Sequence, residues 1–141
     1  MPPTHEIALT LDDGAAEIQR LTAASDAFCD RHGVPEGARM ALALALEELV
    51  TNVMMHGGAG ALPVDVGIRM ADGMIEARVE DGGAAFDPLS GADPDVEAPV
   101  EERRIGGLGV LLVKQLMDET RYERVAGRNV VTVRKRADAA K

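Results

Sequence analysis

The feature that most constrains the fold is a helical segment over residues 35–58, which reads PEGARMALALALEELVTNVMMHGG. Ala, Leu and Met fill residues 40–46, and a helix that is apolar on every side is expected to be buried. Glu48, Asn52 and His56 then follow at i, i+4 and i+8, so they project from one face of the helix. Polar groups are costly to bury without partners. The segment therefore predicts either a solvated helix end or the wall of a binding site.

The second interpretation gives two of these side chains a chemical role. Glu48 is placed to act as a general base, and Asn52 as a ligand to a hard cation. Mg²⁺ prefers oxygen ligands and is usually held by one or two protein groups together with substrate phosphates and water. A neutral amide ligand leaves the phosphates to balance the metal charge. This face of the helix therefore predicts Mg²⁺-dependent phosphate chemistry.

Composition limits the class of protein. The 141 residues fit a single domain, residues 1–141. The net charge of −9 argues against direct binding to nucleic acid, and the absence of Trp, with one Tyr and two Phe, argues against base-stacking platforms. The single cysteine, Cys29, fits a reducing, cytoplasmic location. No apolar run is long enough to span a membrane, and the first residues have no signal-peptide pattern.

The remaining periodicity predicts an α+β fold. The order is strand, helix, helix, strand, strand, lid, helix, strand, strand, which favours a two-layer sandwich with a mixed, mainly antiparallel sheet and helices on one face. A Gly-, Pro- and Asp-rich segment at about 82–105 is expected to be a flexible lid. Asp12 or Asp13 is expected to cap the first helix, and Gly33 to end it. The predicted strands are 6–11, 63–70, 74–79, 121–125 and 129–134, and the other helices are 15–32 and 106–119.

A second motif, DGGAAFDP, begins at Asp81 directly after a predicted strand. A carboxylate at that point can accept a hydrogen bond from the exocyclic amine of adenine, and Gly83 would let a base or sugar approach the backbone closely. The alternative is an ordinary Asp-Gly turn, which is common.

A third motif, Gly106-Gly107-Leu108-Gly109, opens the third helix. Glycines at a helix start expose amides that can bind phosphate. The alternative is a flexible junction between loop and helix, since a lone glycine cluster is weak evidence. No Gly-Lys-Ser/Thr follows, so this is not a Walker A loop.

The three motifs in this order, with the lid between the second and third, resemble the GHKL ATPase superfamily of gyrase and histidine-kinase type. The chain is most similar to its anti-sigma-factor serine/threonine kinases. The resemblance covers about residues 6–135. EELVTNVMMHGG looks like the N box, VEDGGAAFDP like the first glycine box, and GGLGVLLVKQLMDETRYER like the second.

The resemblance implies roles for the residues of the first two motifs. Glu48 would be the general base that activates a protein serine or threonine hydroxyl, and Asn52 would coordinate Mg²⁺ bridging the phosphates of ATP. Asp81 would read the adenine amine, with Gly83 beside it. His56 would contact the nucleotide or cap the helix, and we favour the cap.

It also implies roles near the other end of the chain. Gly107, Leu108 and Gly109 would close over the phosphates. Thr132, on the last strand, would reach the adenine pocket directly or through water. Its alternative is an ordinary strand threonine, because Thr is favoured in strands.

The function that the resemblance implies is a partner switch. A homodimeric kinase would phosphorylate an anti-sigma antagonist of the STAS type, release it, and bind a sigma factor. One alternative is a non-catalytic module that binds ATP or ADP and sequesters a partner. Glu48 favours the enzyme, because a pure binder needs no base. A domain that binds no nucleotide is the third interpretation.

Overall fold

A computed structural model describes residues 6–89 and 107–137. The order of elements in these residues is the predicted one. Most of the predicted lid, residues 90–105, lies outside the described residues. The third helix ends earlier than predicted, because the chain enters the next strand at Glu119. The elements are β1 (Ile7–Leu11), α1 (Ala15–His32), α2 (Glu36–His56), β2 (Val64–Ala71), β3 (Met74–Asp81), α3 (Gly107–Leu116), β4 (Glu119–Val125) and β5 (Arg128–Arg136).

The five strands form one sheet in the order β1-β2-β3-β5-β4. Every adjacent pair is antiparallel, so within the described residues the sheet is not mixed as predicted. Tight turns with positive φ close two hairpins, at Asp72-Gly73 (φ 55° and 78°) and Ala126-Gly127 (φ 51° and 79°). These are the angles that the right-handed twist of a hairpin favours. Because β5 inserts between β3 and β4, the end of β3 lies beside the start of β5.

The hydrophobic core lies between the helices and one face of the sheet. Alternate strand residues such as Ile68, Ala77 and Val133 are fully buried on that face. α2 supplies Leu42 and Val50 to the same core, and it contacts α1, α3, β3 and β5. α2 is therefore the central helix, and its C-terminal end is fixed beside the middle of the sheet.

The composition of the central helix predicts burial on every side, but one side of the helix is exposed. Met40 is 55% exposed and Leu44 is 38% exposed. Two helices and the sheet cover the other sides of α2, where small residues such as Ala41 and Ala45 allow close packing. Because these elements do not surround the helix completely, one apolar stripe stays exposed. Within the described residues, no helix has both the length and the apolar character needed to cross a membrane.

Of the two predicted caps of α1, the structure confirms only the one at the C-terminal end. The N-cap is Gly14, with no side-chain hydrogen bond, so the predicted aspartate cap is wrong. Instead, a carboxylate oxygen of Glu17 accepts from the backbone N–H of Asp12 at 2.9 Å. Gly33 ends the helix in the left-handed conformation (φ 61°), as predicted.

The other face of the sheet carries charged side chains in place of a second hydrophobic layer. Glu76 is only 3% exposed, and its carboxylate accepts from Arg69 Nε at 2.6 Å and from Arg134 Nε at 2.9 Å. The hydrogen bond from Arg69, together with that from Arg134, holds the pKa of Glu76 below its ordinary value, although burial acts in the opposite direction. This ion cluster ties β2, β3 and β5 together.

Candidate functional site

The end of α2 forms one wall of a pocket. Asn52 and His56, one turn apart, both line it, together with the apolar residues Leu49 and Val53. The polar face predicted from the i, i+4 spacing is therefore partly a pocket wall. Glu48 continues the same face one turn earlier, is half-buried, and is not among the lining residues. Within the described part of the chain its side chain has no hydrogen-bond partner.

Asp81, the last residue of β3, lines the pocket and is 8% exposed. Its Oδ1 accepts from the backbone N–H of Gly83 at 2.9 Å and from the side chain of Asn129 at 3.0 Å. No hydrogen bond reaches Oδ2 from the residues that the structure describes. One carboxylate oxygen is therefore held and the other is available to a ligand.

Glycine is required where the loop after β3 meets the end of α2. A Cβ added at Gly83 would lie 2.8 Å from the carbonyl oxygen of Gly57 and 3.2 Å from Cβ of Ala61. A Cβ at Gly82 would lie 3.0 Å from the carbonyl oxygen of Gly60. The motif glycines thus let the loop after β3 approach closely the backbone of Gly57 and Gly60, at and just after the end of α2. The structure thus gives Gly83 a packing role, whereas the sequence motif predicts close approach by a ligand.

Asn129, at the start of β5, joins the elements around the pocket and is 4% exposed. Its Oδ1 accepts from Tyr122 Oη at 2.6 Å, Arg124 Nη1 at 3.0 Å and Phe86 N–H at 3.1 Å. Its Nδ2 donates to Asp81 Oδ1 and, at 2.9 Å, to the carbonyl of Ala84. Asn129 lies outside the three sequence motifs and is not among the predicted site residues. The available signal was a buried-strand pattern, Asn-Val-Val-Thr-Val, that begins with an amide.

The pocket has a volume of about 180 Å³. That is smaller than the roughly 300–1,000 Å³ of a complete small-molecule site, so it fits one part of a larger ligand, such as a base. Its walls come from the end of α2, the end of β3, the loop that follows and the start of β5. The lining residues are Leu49, Asn52, Val53, His56, Gly57, Val79, Asp81, Ala84, Phe86, Pro88, Asn129 and Val131.

The structure brings only some of the predicted site residues together. Asn52 and Asp81 share the pocket, and Gly83 packs beside it. Thr132 pairs with Arg78 and does not line the pocket; its neighbour Val131 does, and successive strand residues face opposite sides of a sheet. Residues 107–109 (Gly107, Leu108 and Gly109) form the first turn of α3, and their side chains lie outside the described residues.

An antiparallel sheet with helices on one face, and an amide and a carboxylate that line one pocket beside the central helix, are the features expected of an ATPase-type domain. The sequence matches the family described as the histidine kinase-like ATPase domain over residues 12–135, and the chain belongs to that family. The predicted fold class and the family resemblance are confirmed.

The relatives of the chain include named protein kinases. The chain is 26% identical over 97 residues to the serine/threonine-protein kinase BtrW of Bordetella bronchiseptica, and the match covers 67% of this chain and 68% of BtrW. The chain is 31% identical over 96 residues to the serine-protein kinase RsbW of Listeria monocytogenes, and this match covers 64% of the chain and 61% of RsbW. The chain therefore spans less than two thirds of the length of RsbW.

Solved structures share the fold. The RsbU and RsbW domains of a Mycobacterium tuberculosis protein superpose with a TM-score of 0.68 at 22% identity, over 95% of this chain and 33% of that one. The SiaB–SiaC complex of Pseudomonas aeruginosa gives a TM-score of 0.62 at 15% identity, over 93% of this chain and 89% of that one.

Proposed function

We propose that this protein is an ATP-dependent serine/threonine kinase that acts as a partner-switching, anti-sigma regulator. It would phosphorylate an anti-sigma antagonist of the STAS type and bind a sigma factor, as a homodimer. Support comes from the family and from relatives named as serine kinases, which match this chain at modest identity. The likeness to a SiaB–SiaC complex supports a protein partner.

The observation that carries the proposal is the meeting of Asn52 and Asp81 in one pocket. Asp81 keeps one carboxylate oxygen without a hydrogen bond from the described residues, which suits an adenine amine. Asn52 offers a neutral oxygen on the neighbouring wall. The two side chains come from α2 and β3, so the pocket can hold the base at one end and face the phosphates at the other.

The donor set fits Mg²⁺ held mainly by a nucleotide. Among the described residues there is no cluster of three or more His, Cys, Asp or Glu that could hold a metal ion. Mg²⁺ commonly takes one or two protein ligands and fills its other positions with phosphate oxygens and water. Asn52 would be the protein ligand, and the bound ion would offset the charge of the phosphates. The backbone amides of Gly107, Leu108 and Gly109, in the first turn of α3, would bind those phosphates.

The chemistry assigned to Glu48 is proton removal. In the transfer, the hydroxyl oxygen of the target serine bonds to the γ-phosphorus, the bond from that phosphorus to the bridging oxygen breaks, and ADP leaves. The hydroxyl proton passes to the Glu48 carboxylate. A half-buried carboxylate with no hydrogen-bond partner in the described part of the chain is available for this role.

One observation favours a second candidate, a non-catalytic module that binds ATP or ADP and sequesters a partner. Glu48 lies beyond the lining of the pocket, so the described geometry alone supports nucleotide binding more directly than transfer. The two candidates share the roles of Asn52 and Asp81. They differ in whether Glu48 is needed.

Calorimetric titration of ATP, with and without Mg²⁺, tests the shared part. Wild type is expected to bind, Asn52→Ala to lose the Mg²⁺-dependent gain, and Asp81→Asn to weaken binding in both conditions. A hydrogen bond to a charged group is worth about 1.5–3 kcal/mol, so we expect about a tenfold or greater loss for Asp81→Asn. No binding by wild type at millimolar ATP would refute both candidates.

Phosphate transfer to a STAS-type antagonist separates kinase from binder. Glu48→Gln is expected to bind ATP normally and to lose about a hundredfold or more in transfer rate, as for the loss of a general base. Glu47→Gln, the exposed neighbour on the same helix, is the matched control and should transfer normally. Equal rates for the two variants would favour the binding module.

A further inference from the structure

The hydrogen bonds around Asn129 fix the orientation of its amide. Three donors converge on Oδ1, from Tyr122, Arg124 and the backbone of Phe86. An amide turned the other way would place its NH₂ group against these donors. Nδ2 must therefore face Asp81 and the carbonyl of Ala84, both of which accept.

That orientation controls the carboxylate of Asp81. Its Oδ1 receives two donors, Nδ2 of Asn129 and the N–H of Gly83. Because Oδ1 is held from two directions, the plane of the carboxylate is fixed, and Oδ2 is left to meet a ligand. With only the N–H of Gly83 remaining, the carboxylate could rotate and present either oxygen.

The same contacts hold the loop after β3 in place. Asn129 binds the carbonyl of Ala84 and the N–H of Phe86, and Arg124 Nη1 donates to the carbonyl of Gly83 at 2.9 Å. Tyr122 and Arg124 lie on β4, so the β4–β5 hairpin supports the pocket wall from behind. Ala84 and Phe86 are themselves lining residues.

We propose that Asn129 is a positioning residue that aims the free oxygen of Asp81 at the exocyclic amine of a bound adenine, with Tyr122 and Arg124 holding its amide in the required orientation. This inference rests on the proposed nucleotide function and adds to it the residue that sets base selectivity. Asn129 acts through Asp81, so its loss should change discrimination between bases as well as affinity.

The test compares binding of ATP with binding of purine riboside triphosphate, which lacks the exocyclic amine. The readout is the ratio of the two dissociation constants, measured by calorimetry. Wild type is expected to prefer ATP by about tenfold or more, the effect of one hydrogen bond to a charged group. Asp81→Ala should abolish the preference, and Asn129→Ala should lower it by at least about threefold, since Asp81 remains but is no longer held.

Val130→Ala is the matched control. Val130 is the next residue on β5, is 3% exposed, and lies outside the pocket lining. Truncating it should lower stability without changing the ratio. If Asn129→Ala does not fold, as judged by a cooperative thermal transition, the paired variant Tyr122→Phe/Arg124→Met decides. It leaves Asn129 in place, removes two of its three orienting donors, and is expected to lower the ratio.

The outcomes are distinguishable. If Asn129→Ala weakens both nucleotides equally and keeps the wild-type ratio, the residue is only structural and the inference is overturned. If Asn129→Ala does not fold and the paired variant keeps the wild-type ratio, the inference is likewise overturned. Equal binding of both nucleotides by wild type overturns the inference while leaving nucleotide binding intact. If wild type binds neither nucleotide, the proposed function fails and the inference fails with it.

Discussion

Alanine at Gly83 is the most direct test of how the pocket is built. Gly83 does not have positive φ, so its backbone conformation is open to alanine and the effect of the substitution is steric. The added Cβ would lie 2.8 Å from the carbonyl oxygen of Gly57, closer than real Cβ atoms approach. That carbonyl belongs to the residue that ends α2, whose N–H is bonded to Val53 at 2.8 Å. The backbone of the loop must therefore move.

The cost follows from this geometry. Overpacking of a well-fitted contact typically costs about 1–3 kcal/mol, so Gly83→Ala should lower the free energy of unfolding by that amount. The shift also displaces the N–H that Gly83 donates to Asp81. Because this N–H is one of the two donors that hold Oδ1 of Asp81, ATP binding should weaken by about threefold or more, as for the loss of the donor from Asn129. Urea denaturation and calorimetric titration measure the two effects.

Gly37→Ala is the control for Gly83→Ala. Gly37 lies in the first turn of α2, and a Cβ there meets nothing within 4 Å. It should raise stability by up to about 1 kcal/mol, because alanine is the better helix former, and leave ATP binding unchanged. The steric argument is refuted if Gly83→Ala unfolds at the wild-type urea concentration and binds ATP with wild-type affinity.

Two further predictions concern stability. Glu76→Gln should lower the free energy of unfolding by about 1–3 kcal/mol at pH 7. Because folding lowers the pKa of Glu76, its ion pairs contribute to stability above the ordinary pKa of 4.5, and this contribution is lost as the pH falls. The difference between wild type and variant in the free energy of unfolding, measured by urea denaturation, should therefore shrink between pH 7 and pH 3. A difference that stays constant would contradict the role assigned to the Glu76 ion pairs. Gly33→Ala should cost about 1–2 kcal/mol, because Gly33 ends α1 in the left-handed conformation; an unchanged urea midpoint would show that the helix end relaxes.

Much of the fold follows from local sequence signals. Helix α1 begins and ends at the predicted residues, since apolar residues recur at helical spacing and Gly33 stops the pattern. The Asp72-Gly73 hairpin follows from turn chemistry. Composition overstates the burial of α2, because it reports how apolar a helix is but not how many neighbours cover it. Met40 and Leu44 are exposed for that reason.

The face of β5 could not be determined in this way. Five consecutive residues of the strand, from Asn129 to Val133, are all buried. Because residues on both faces are buried, apolar and exposed polar residues do not alternate along the strand, and the sequence does not indicate which side faces the helices. Only the pairing with β3 decides it. The register places Asn129 opposite Asp81 and Thr132 opposite Arg78, which puts Asn129 on the pocket side and Thr132 on the other.

The same non-local pairing explains why Asn129 was missed while Asp81 was found. Asp81 belongs to a glycine motif whose neighbours are close in sequence, whereas its partner lies 48 residues further on, after α3 and β4. In the proposed function the two ends of the pocket then have separate supports. Asn52 is held by the packing of α2 in the core, whereas Asp81 is held by hydrogen bonds from Asn129 of the β4–β5 hairpin and from Gly83. Substitution of the hairpin residues that hydrogen-bond in this network, Tyr122, Arg124 and Asn129, should therefore alter base selectivity while the phosphate end keeps its geometry. Substitutions that disturb the packing of α2 around Asn52 should do the reverse.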